Sequence, residues 1–472
     1  MKIVLVNPPI TKQERYGSLA PAGSYAPPLA LCSLGALTRS LGYDTSVIDS
    51  QVEGLDHAAT LDRIAGGKPD VVGITSTTST FPSAARLAKM VKEDRSATTV
   101  IAGGVHVSAL PERCLRDHPA IDAGVVGEGE ETVTELLAAL KAGAPLDGIR
   151  GLALRRDGGV VLTEARPLMK DLDALPLPAW DLLPNFPASY NVQAQSVSHF
   201  PSTSCCTSRG CTGRCTFCDR RIFGRVLRAH SADYVMRMIR ELYDRYGIRD
   251  IQFEDDNFML FRPRLLEICD RLVREKLDIS WSCQARVDMV MPETLRKMKE
   301  AGCWMILYGV ESGSQKVLDA MDKEITVEKI ERAIELTHNA GIGCKGFFIA
   351  GYLNEDHESL KETYEFISRC RLDDISFHYF TPFPGSASYD VAAQHGTLRG
   401  GFDDMTYYRP VFVPHGLSEQ DLVRHTKACY RRFYSRPRTI LAYLKRIRSP
   451  SHLLFFARSS VALAKYLVSK KE

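Results

Sequence analysis

Over residues 1–145 short apolar runs alternate with segments whose apolar residues recur every three or four positions. KIVLV (2–6), DTSVIDS (44–50), DVVGITS (70–76), TTVIAGG (98–104) and AGVVGEG (123–129) read as strands. LALCSLGALTRSLGY (29–43), ARLAKMVKED (85–94) and EETVTELLAALKAG (130–143) read as helices. Buried runs followed in turn by helices describe a parallel sheet covered on both faces, so the fold class is α/β. Such sheets bind ligands beyond the carboxyl ends of their strands. Here those ends carry Asp49-Ser50, Thr75 to Ser79, Gly103-Gly104 and Gly127-Glu128-Gly129. Glycine at a strand end lets a bulky ligand approach the backbone.

The pattern then changes. GLALRRDGGVVLTEAR (151–166) reads as a hairpin turning at Asp157-Gly158-Gly159. LDALPLPAWDLLP (172–184) holds too many prolines for a regular helix and reads as an ordered linker. From about 195 to 390 a second strand–helix series runs through IQFEDDNF, ISWSCQAR, WMILYGVESG, GCKGFFIAG and DISFHYFTPFPGS. Repeats of this length predict a full or partial (β/α) barrel, with chemistry at the strand C-termini. The expected divisions are 1–145, a linker with hairpin at 146–194, the barrel at 195–395 and a helical region at 396–472.

Length and composition fit this layout. At 472 residues the chain is too long for one core. A net charge of +3 gives no general case for nucleic acid. The opening MKIVLVNPPI is broken at Pro8-Pro9 and does not read as a signal peptide; no apolar run is long enough to span a bilayer. The chain is therefore expected in the cytoplasm, with its thirteen cysteines reduced. The tail mixes arginine and lysine with leucine, phenylalanine and tyrosine. Two readings fit it: a helix pair packed on the barrel, or an amphipathic segment peripheral to the inner membrane.

Candidate chemistry concentrates in TSRGCTGRCTFCDRR (207–221). Cys211, Cys215 and Cys218 form C-x3-C-x2-C, with Cys205 and Cys206 just upstream. The odd cysteine count and the scatter of the others argue against a disulfide framework. Structural zinc takes four ligands, which Cys205 or Cys206 could complete. Three thiolates also suit a 4Fe–4S cluster that leaves one iron without a protein ligand, and an open metal position can bind substrate.

CTGRCTFC resembles the cluster loop of the radical S-adenosylmethionine enzymes. The resemblance implies that Cys211, Cys215 and Cys218 hold the cluster. It also implies that the open iron chelates S-adenosylmethionine and that an electron cleaves it to a 5′-deoxyadenosyl radical. Phe217 would pack on the adenine. FEDDNF (253–258) and YGVESGS (308–314) resemble the family's second- and fourth-strand motifs, which implies that Glu311 and Ser312 hold the methionine part. FFIAGYLNED (347–356) resembles the fifth-strand segment, with leucine where proline is usual, and TPFPGSASY (381–389) resembles the last.

A Rossmann-like unit ahead of such a barrel is similar to the cobalamin-binding subclass. GGVHVSALPE, GEGEETVTELL and LDALPLPAWDLLP resemble its recurring segments, and the likeness runs to about residue 435. It implies cobalamin at Gln51, Thr75, Ser76, Gly103, Gly104, Gly127 and Glu128. Many of these enzymes carry a cobalt-ligating histidine in Asp-x-His-x-x-Gly. Here Asp49 to Gly54 has Gln51 in that position. An amide is a poor cobalt ligand and imidazole a good one, so the expectation is cobalamin without histidine ligation, its benzimidazole tail displaced into the domain.

The implied activity is methylation of an unactivated carbon on a hydrophobic substrate such as a lipid, polyprenoid or tetrapyrrole. A flavodoxin or ferredoxin reductase would supply electrons. Two alternatives stand beside it: oxidative cyclisation of the magnesium-protoporphyrin monomethyl ester cyclase type, and a cobalamin or iron–sulfur sensor or carrier without turnover. No substrate-side acid or base is assigned. His378 and Tyr379 on the last strand read equally as packing residues.

Overall fold

A computed structural model describes residues 1–190, 197–447 and 450–468. The first sheet is built from β1 (Lys2–Asn7), β2 (Asp44–Asp49), β3 (Val71–Thr75), β4 (Thr99–Gly103), β5 (Ala123–Val125), β6 (Leu152–Arg156) and β7 (Gly159–Leu162). Their order is β2-β1-β3-β4-β5-β6-β7, with β1 to β5 parallel. Ile3 and Leu5 belong to one core, Val4 and Val6 to another. Burial on both faces is why the strand reads as a continuous apolar run.

The expected hairpin extends this sheet, since β6 pairs antiparallel with β5. Its turn has positive φ at Asp157 (48°) and Gly158 (78°), the pairing that favours Asp-Gly. The proline-rich stretch is ordered without regular helix. It forms two short 3-10 turns, Leu172–Ala174 and Trp180–Leu182, and Trp180 is fully buried against Phe186.

The second sheet comprises β8 (Ser202–Cys205), β11 (Asp250–Phe253), β12 (Ser280–Ala285), β13 (Cys303–Glu311), β14 (Gly343–Ala350) and β15 (Asp374–Tyr379). The strands β9 (Ser208–Arg209) and β10 (Arg228–Ala229) pair separately. The six strands run parallel in chain order, with helices between successive strands from β11 on. The result is a curled half-barrel, the partial form of the expected barrel. Its first strand, STSC, has no apolar periodicity to announce it, yet all four residues are buried.

The half-barrel's free edge is closed by the tail. Helices Glu419–Tyr434, Pro437–Arg446 and Pro450–Val468 follow β15. Tyr434 and Tyr443 donate to Asp374 Oδ1 at 2.6 and 2.7 Å, and the Tyr430 hydroxyl accepts from the Phe377 amide. Covering an edge strand satisfies its backbone and blocks further pairing. The tail thus packs on the barrel while Leu441, Leu444, Leu453 and Leu454 face outward. Among the described residues no helix is long and apolar enough to cross a membrane.

Candidate active site

The cysteine loop springs from the β9–β10 stem, in which Arg209 pairs with Arg228. Gly210 (φ 84°) lies where a Cβ would come within 2.5 Å of the Val226 carbonyl oxygen, so the loop's two ends touch through a position only glycine can fill. Cys211 is half-buried, Cys215 buried and Cys218 exposed. A Cβ on Gly213 would sit 3.5 Å from Cys211 Sγ and 3.9 Å from Cys215 Sγ, so both thiols flank one small open space. The Gly213 amide points at Cys211 Sγ from 3.5 Å.

The loop is held by side chains. Arg220 donates to the carbonyls of Gly213, Arg214 and Cys215. Arg286, at the end of β12, brings Nη1 to 3.9 Å from Cys215 Sγ and is oriented by Asp288. Burial pushes the Cys215 thiol up, while the cations Lys323 and Arg286 pull the other way. Thiolates surrounded by guanidinium, ammonium and amide donors suit an anionic iron–sulfur cluster.

The acidic triplet after β11 divides its work. Asp255 is fully buried and accepts from the Thr207 amide, the Thr207 hydroxyl (2.8 Å) and the Ser208 hydroxyl. Arg264 stands behind it at 3.9 Å and donates to the Thr207 carbonyl. Asp255 is therefore a strut under the stem. Glu254 accepts from Gln252 and Gln284 inside the barrel, and burial raises its carboxyl. Asp256 alone is exposed.

At the end of β13, Glu311 adopts φ 65° and pairs with Lys323 Nζ at 2.6 Å, both side chains buried. A Cβ on Gly309 would fall 2.5 Å from Glu311 Oε1 and 2.9 Å from Lys323 Nζ, so that glycine makes room for the pair. Lys323 also lies 5.7 Å from the centroid of the Phe217 ring, and Phe217 packs against the cluster that includes Val317, Met321 and Tyr352. Ser312 is placed differently from expectation. Its hydroxyl is engaged by Thr363 Oγ1 (3.0 Å) and accepts from the Ser314 amide (3.1 Å). Neither Lys323 nor Arg286 lies in a recognisable motif, so the sequence alone does not mark them.

The carboxyl edge of the first sheet faces two cavities. One, of 790 Å³, is walled by Gln51, the hydroxyl run Thr75 to Thr80, Arg15, Asp219, Phe383 and Tyr408. The other, of 360 Å³, is mainly apolar and reaches Leu29, Leu34, Gly103, Gly104 and Gly127; Thr75 borders both. A Cβ on Gly104 (φ 99°) would lie 2.4 Å from the Ser76 carbonyl oxygen, and Ser76 donates from its amide and hydroxyl to the Gly103 carbonyl. A hydroxyl-lined hollow thus stands beside a mainly apolar slot at the same sheet edge.

Gln51 is buried, and both hydrogens of its amide and one lone pair of its oxygen are engaged. Nε2 donates to Asn7 Oδ1 and the Pro8 carbonyl, and Oε1 accepts from Arg15 Nη1. His57 borders the same cavity, with Nε2 3.0 Å from Ser83 Oγ. Glu128 departs most from expectation. Its carboxylate does not point freely into a ligand space but is bound by Arg209 and Arg228. On β15, Tyr379 bonds Thr426 and Tyr466 and is a packing residue. His378 stacks against Phe347, and burial lowers its imidazole to about 4, so it is neutral near pH 7.

Comparison with known proteins agrees with this geometry. Residues 206–367 match the radical SAM superfamily model and 17–137 the B12 binding domain model. The chain is 34% identical to an uncharacterized methyltransferase of Pyrococcus horikoshii, PH0819, over 93% of this chain and 94% of that one. It is 28% identical to the anaerobic magnesium-protoporphyrin IX monomethyl ester cyclase of Rubrivivax gelatinosus, over 92% of this chain and 77% of that one. The fold matches the radical S-adenosylmethionine methyltransferase TsrM from Kitasatospora setae, solved with cobalamin and a [4Fe-4S] cluster. That match has a TM-score of 0.72 at 17% identity and covers 99% of both chains. Relatives that are enzymes over nearly the whole length set aside the sensor or carrier reading. Both domain matches and a relative 34% identical along nearly the whole chain agree with the two-sheet fold and its cysteine loop: the chain belongs to the cobalamin-binding radical S-adenosylmethionine enzymes, whose cofactors are a 4Fe–4S cluster, S-adenosylmethionine and cobalamin.

Proposed function

We propose that the enzyme methylates an unactivated carbon of a hydrophobic small molecule. The observation that carries this reading is the 790 Å³ cavity, whose wall includes Gln51 and Thr75 from the first sheet and Asp219, the residue after Cys218. One space therefore borders both the sheet edge and the cluster loop, so a substrate lodged there can meet both reacting partners without leaving. Ile10, Phe383, Pro384 and Met405 give that wall an apolar part where such a guest would lie, beside the hydroxyl run and the charged Arg15 and Asp219.

When bound, the cluster and S-adenosylmethionine supply a 5′-deoxyadenosyl radical and cobalamin supplies the methyl group. Cys211, Cys215 and Cys218 hold the cluster, and Phe217 packs on the adenine. The Glu311–Lys323 pair offers a carboxylate and an ammonium to the zwitterionic methionine part. Ser312 acts at one remove, shaping the end of β13 through Thr363. Thr75, Ser76, Gly103, Gly104 and Gly127 flank cobalamin, and the 360 Å³ slot takes its nucleotide arm. Gln51, engaged by Asn7, Pro8 and Arg15, would not serve as a metal ligand, and cobalamin would be held without histidine ligation. Nitrogen superhyperfine splitting from a protein imidazole in the electron paramagnetic resonance spectrum of bound cob(II)alamin would refute that point, and its loss in His57→Ala would name the ligand.

The reaction is tested by incubating anaerobically reconstituted protein with methyl-deuterated S-adenosylmethionine, a reductant and lipid, polyprenoid and tetrapyrrole candidates. Label in an organic-soluble product supports methylation. Formation of 5′-deoxyadenosine with an unlabelled, ring-closed product supports instead the oxidative cyclisation that the Rubrivivax relative favours. Flavodoxin or ferredoxin is the proposed electron donor. Either, with its own reductase, should replace a chemical reductant in forming 5′-deoxyadenosine.

The same reading puts the enzyme in the cytoplasm and the outer face of its tail against the inner membrane. Leu441, Leu444, Leu453 and Leu454 are exposed there. From Arg436 onward the sequence holds nine basic residues and one acid, Glu472, a balance suited to anionic headgroups. Co-sedimentation with phosphatidylglycerol vesicles should fall in Leu441→Glu/Leu444→Glu; equal binding removes the proposal.

A further inference from the structure

Arg209 and Arg228 face each other across the β9–β10 stem, at the entry and exit of the cysteine loop. Like charges directly opposite in a strand pair repel, and both side chains are mostly buried, 13% and 7% exposed. Their counter-charges come from the first sheet's carboxyl edge. Glu128, at the carboxyl end of β5, accepts from Arg209 Nη1 at 2.8 Å and from Arg228 Nη1 at 2.7 and 2.8 Å. Glu130 accepts from Arg209 Nη2 at 2.5 Å. The connecting segment joins in, since the Met169 amide donates to Glu128 Oε2 and the Met169 carbonyl accepts from Arg228.

We propose that Glu128 and Glu130 are positioning residues, forming with Arg209 and Arg228 a latch that sets where the cluster loop stands relative to the cobalamin edge. The arrangement is charge-balanced, two carboxylates to two guanidinium groups. Well-packed apolar residues stabilise a buried interface at least as well as ion pairs do, so what such a group adds is a single register. A fork with two fixed ends gives Arg209 one seat between two carboxylates. The latch also stands between the two sites physically. Glu128, Glu130 and Arg209 line the 360 Å³ slot, and Arg209 is two residues from Cys211. A shift of the stem moves the first thiol and the slot wall together.

The inference rests on the cofactor placement proposed above, and the experiment separates the two. Full-length wild type, Glu128→Gln and Arg209→Lys are loaded anaerobically with cluster and cobalamin, and iron and cobalt are counted. Pulsed electron paramagnetic resonance then measures the distance between cob(II)alamin and the reduced cluster. Wild type should give one narrow distribution. Glu128→Gln should broaden or displace it, and Arg209→Lys, which keeps the charge but not the fork, should do so less. Loaded variants with an unchanged distribution overturn the latch. Where Glu128→Gln does not fold, Arg209→Lys decides alone by the same criterion. A wild type that retains neither metal centre overturns the cofactor placement itself.

Discussion

The cluster loop and the edge of the first sheet border one cavity but are held by opposite means. The loop has almost no backbone ladder of its own beyond a two-residue stem. It is fixed by side chains: its own Arg220 on three carbonyls and, from elsewhere in the chain, Asp255 under the stem and Glu128 on the stem arginines. The sheet edge is fixed by its own strands, buried on both faces, and its contribution to the cavity is largely backbone and hydroxyl. A site built from loose loop and borrowed side chains should fail one contact at a time. A site built from backbone should tolerate side-chain changes and fail where a Cβ is added.

The largest expected effect is on the loop. Cys215→Ala should retain little iron and form no 5′-deoxyadenosine above background, while cobalamin stoichiometry stays at the wild-type value; parallel loss of cobalamin would show that the two sites fold as one. Next, Asp255→Asn leaves Arg264 without its buried counter-charge. We expect a loss of about 3 kcal/mol in denaturant unfolding, with iron retention falling before secondary structure does. Gly104→Ala tests the other side. It places a Cβ against the Ser76 carbonyl at positive φ and should cost about 2 kcal/mol, lowering cobalamin loading with iron unchanged. Gly54→Ala, where nothing lies within 4 Å of the added atom, should cost less.

The smallest effect concerns pH. Burial raises the Glu128 carboxyl, but hydrogen bonds from Arg228 and Arg209 more than offset it, so the folded value lies below the usual range. A depressed carboxyl contributes stability that is complete above its unfolded value, about 4.3, and is lost as pH falls through the lower folded value. Wild type should therefore lose stability relative to Glu128→Gln across that acidic window, read from thermal midpoints at a series of pH values. Parallel curves would mean that the carboxylate is not held as described.

Much of the architecture was legible because it is carried by local pattern. Five short apolar runs announced the first sheet, Asp157-Gly158 its hairpin, and five of the six barrel strands followed from apolar segments before helices. The strand STSC escaped because its burial comes from neighbours and not from its own hydrophobicity. The three cysteines and Glu311 stood out by spacing and resemblance. Lys323, Arg286 and Arg264 did not, since lone cations in unremarkable segments show nothing until folding brings a carboxylate or thiol to them. Glu128 and Ser312, expected at ligands, each have their side chain bound by protein partners, Glu128 while lining the 360 Å³ slot. A sequence motif marks a position as special without saying which way its side chain turns.

The chain's own residue order determined the two sheets, the thiol spacing and the replacement of a histidine by Gln51, because propensity, periodicity and ligand count are properties of short segments. Tertiary structure alone decided that one cavity joins the sheet edge to the cluster loop, that Gln51 is spent on Asn7, Pro8 and Arg15, and that two arginines of the loop stem are neutralised by glutamates about eighty to a hundred positions earlier in the chain. Those outcomes depend on which charges and hydroxyls meet after burial, where an unpaired group is too costly to leave alone, and no local pattern encodes that pairing.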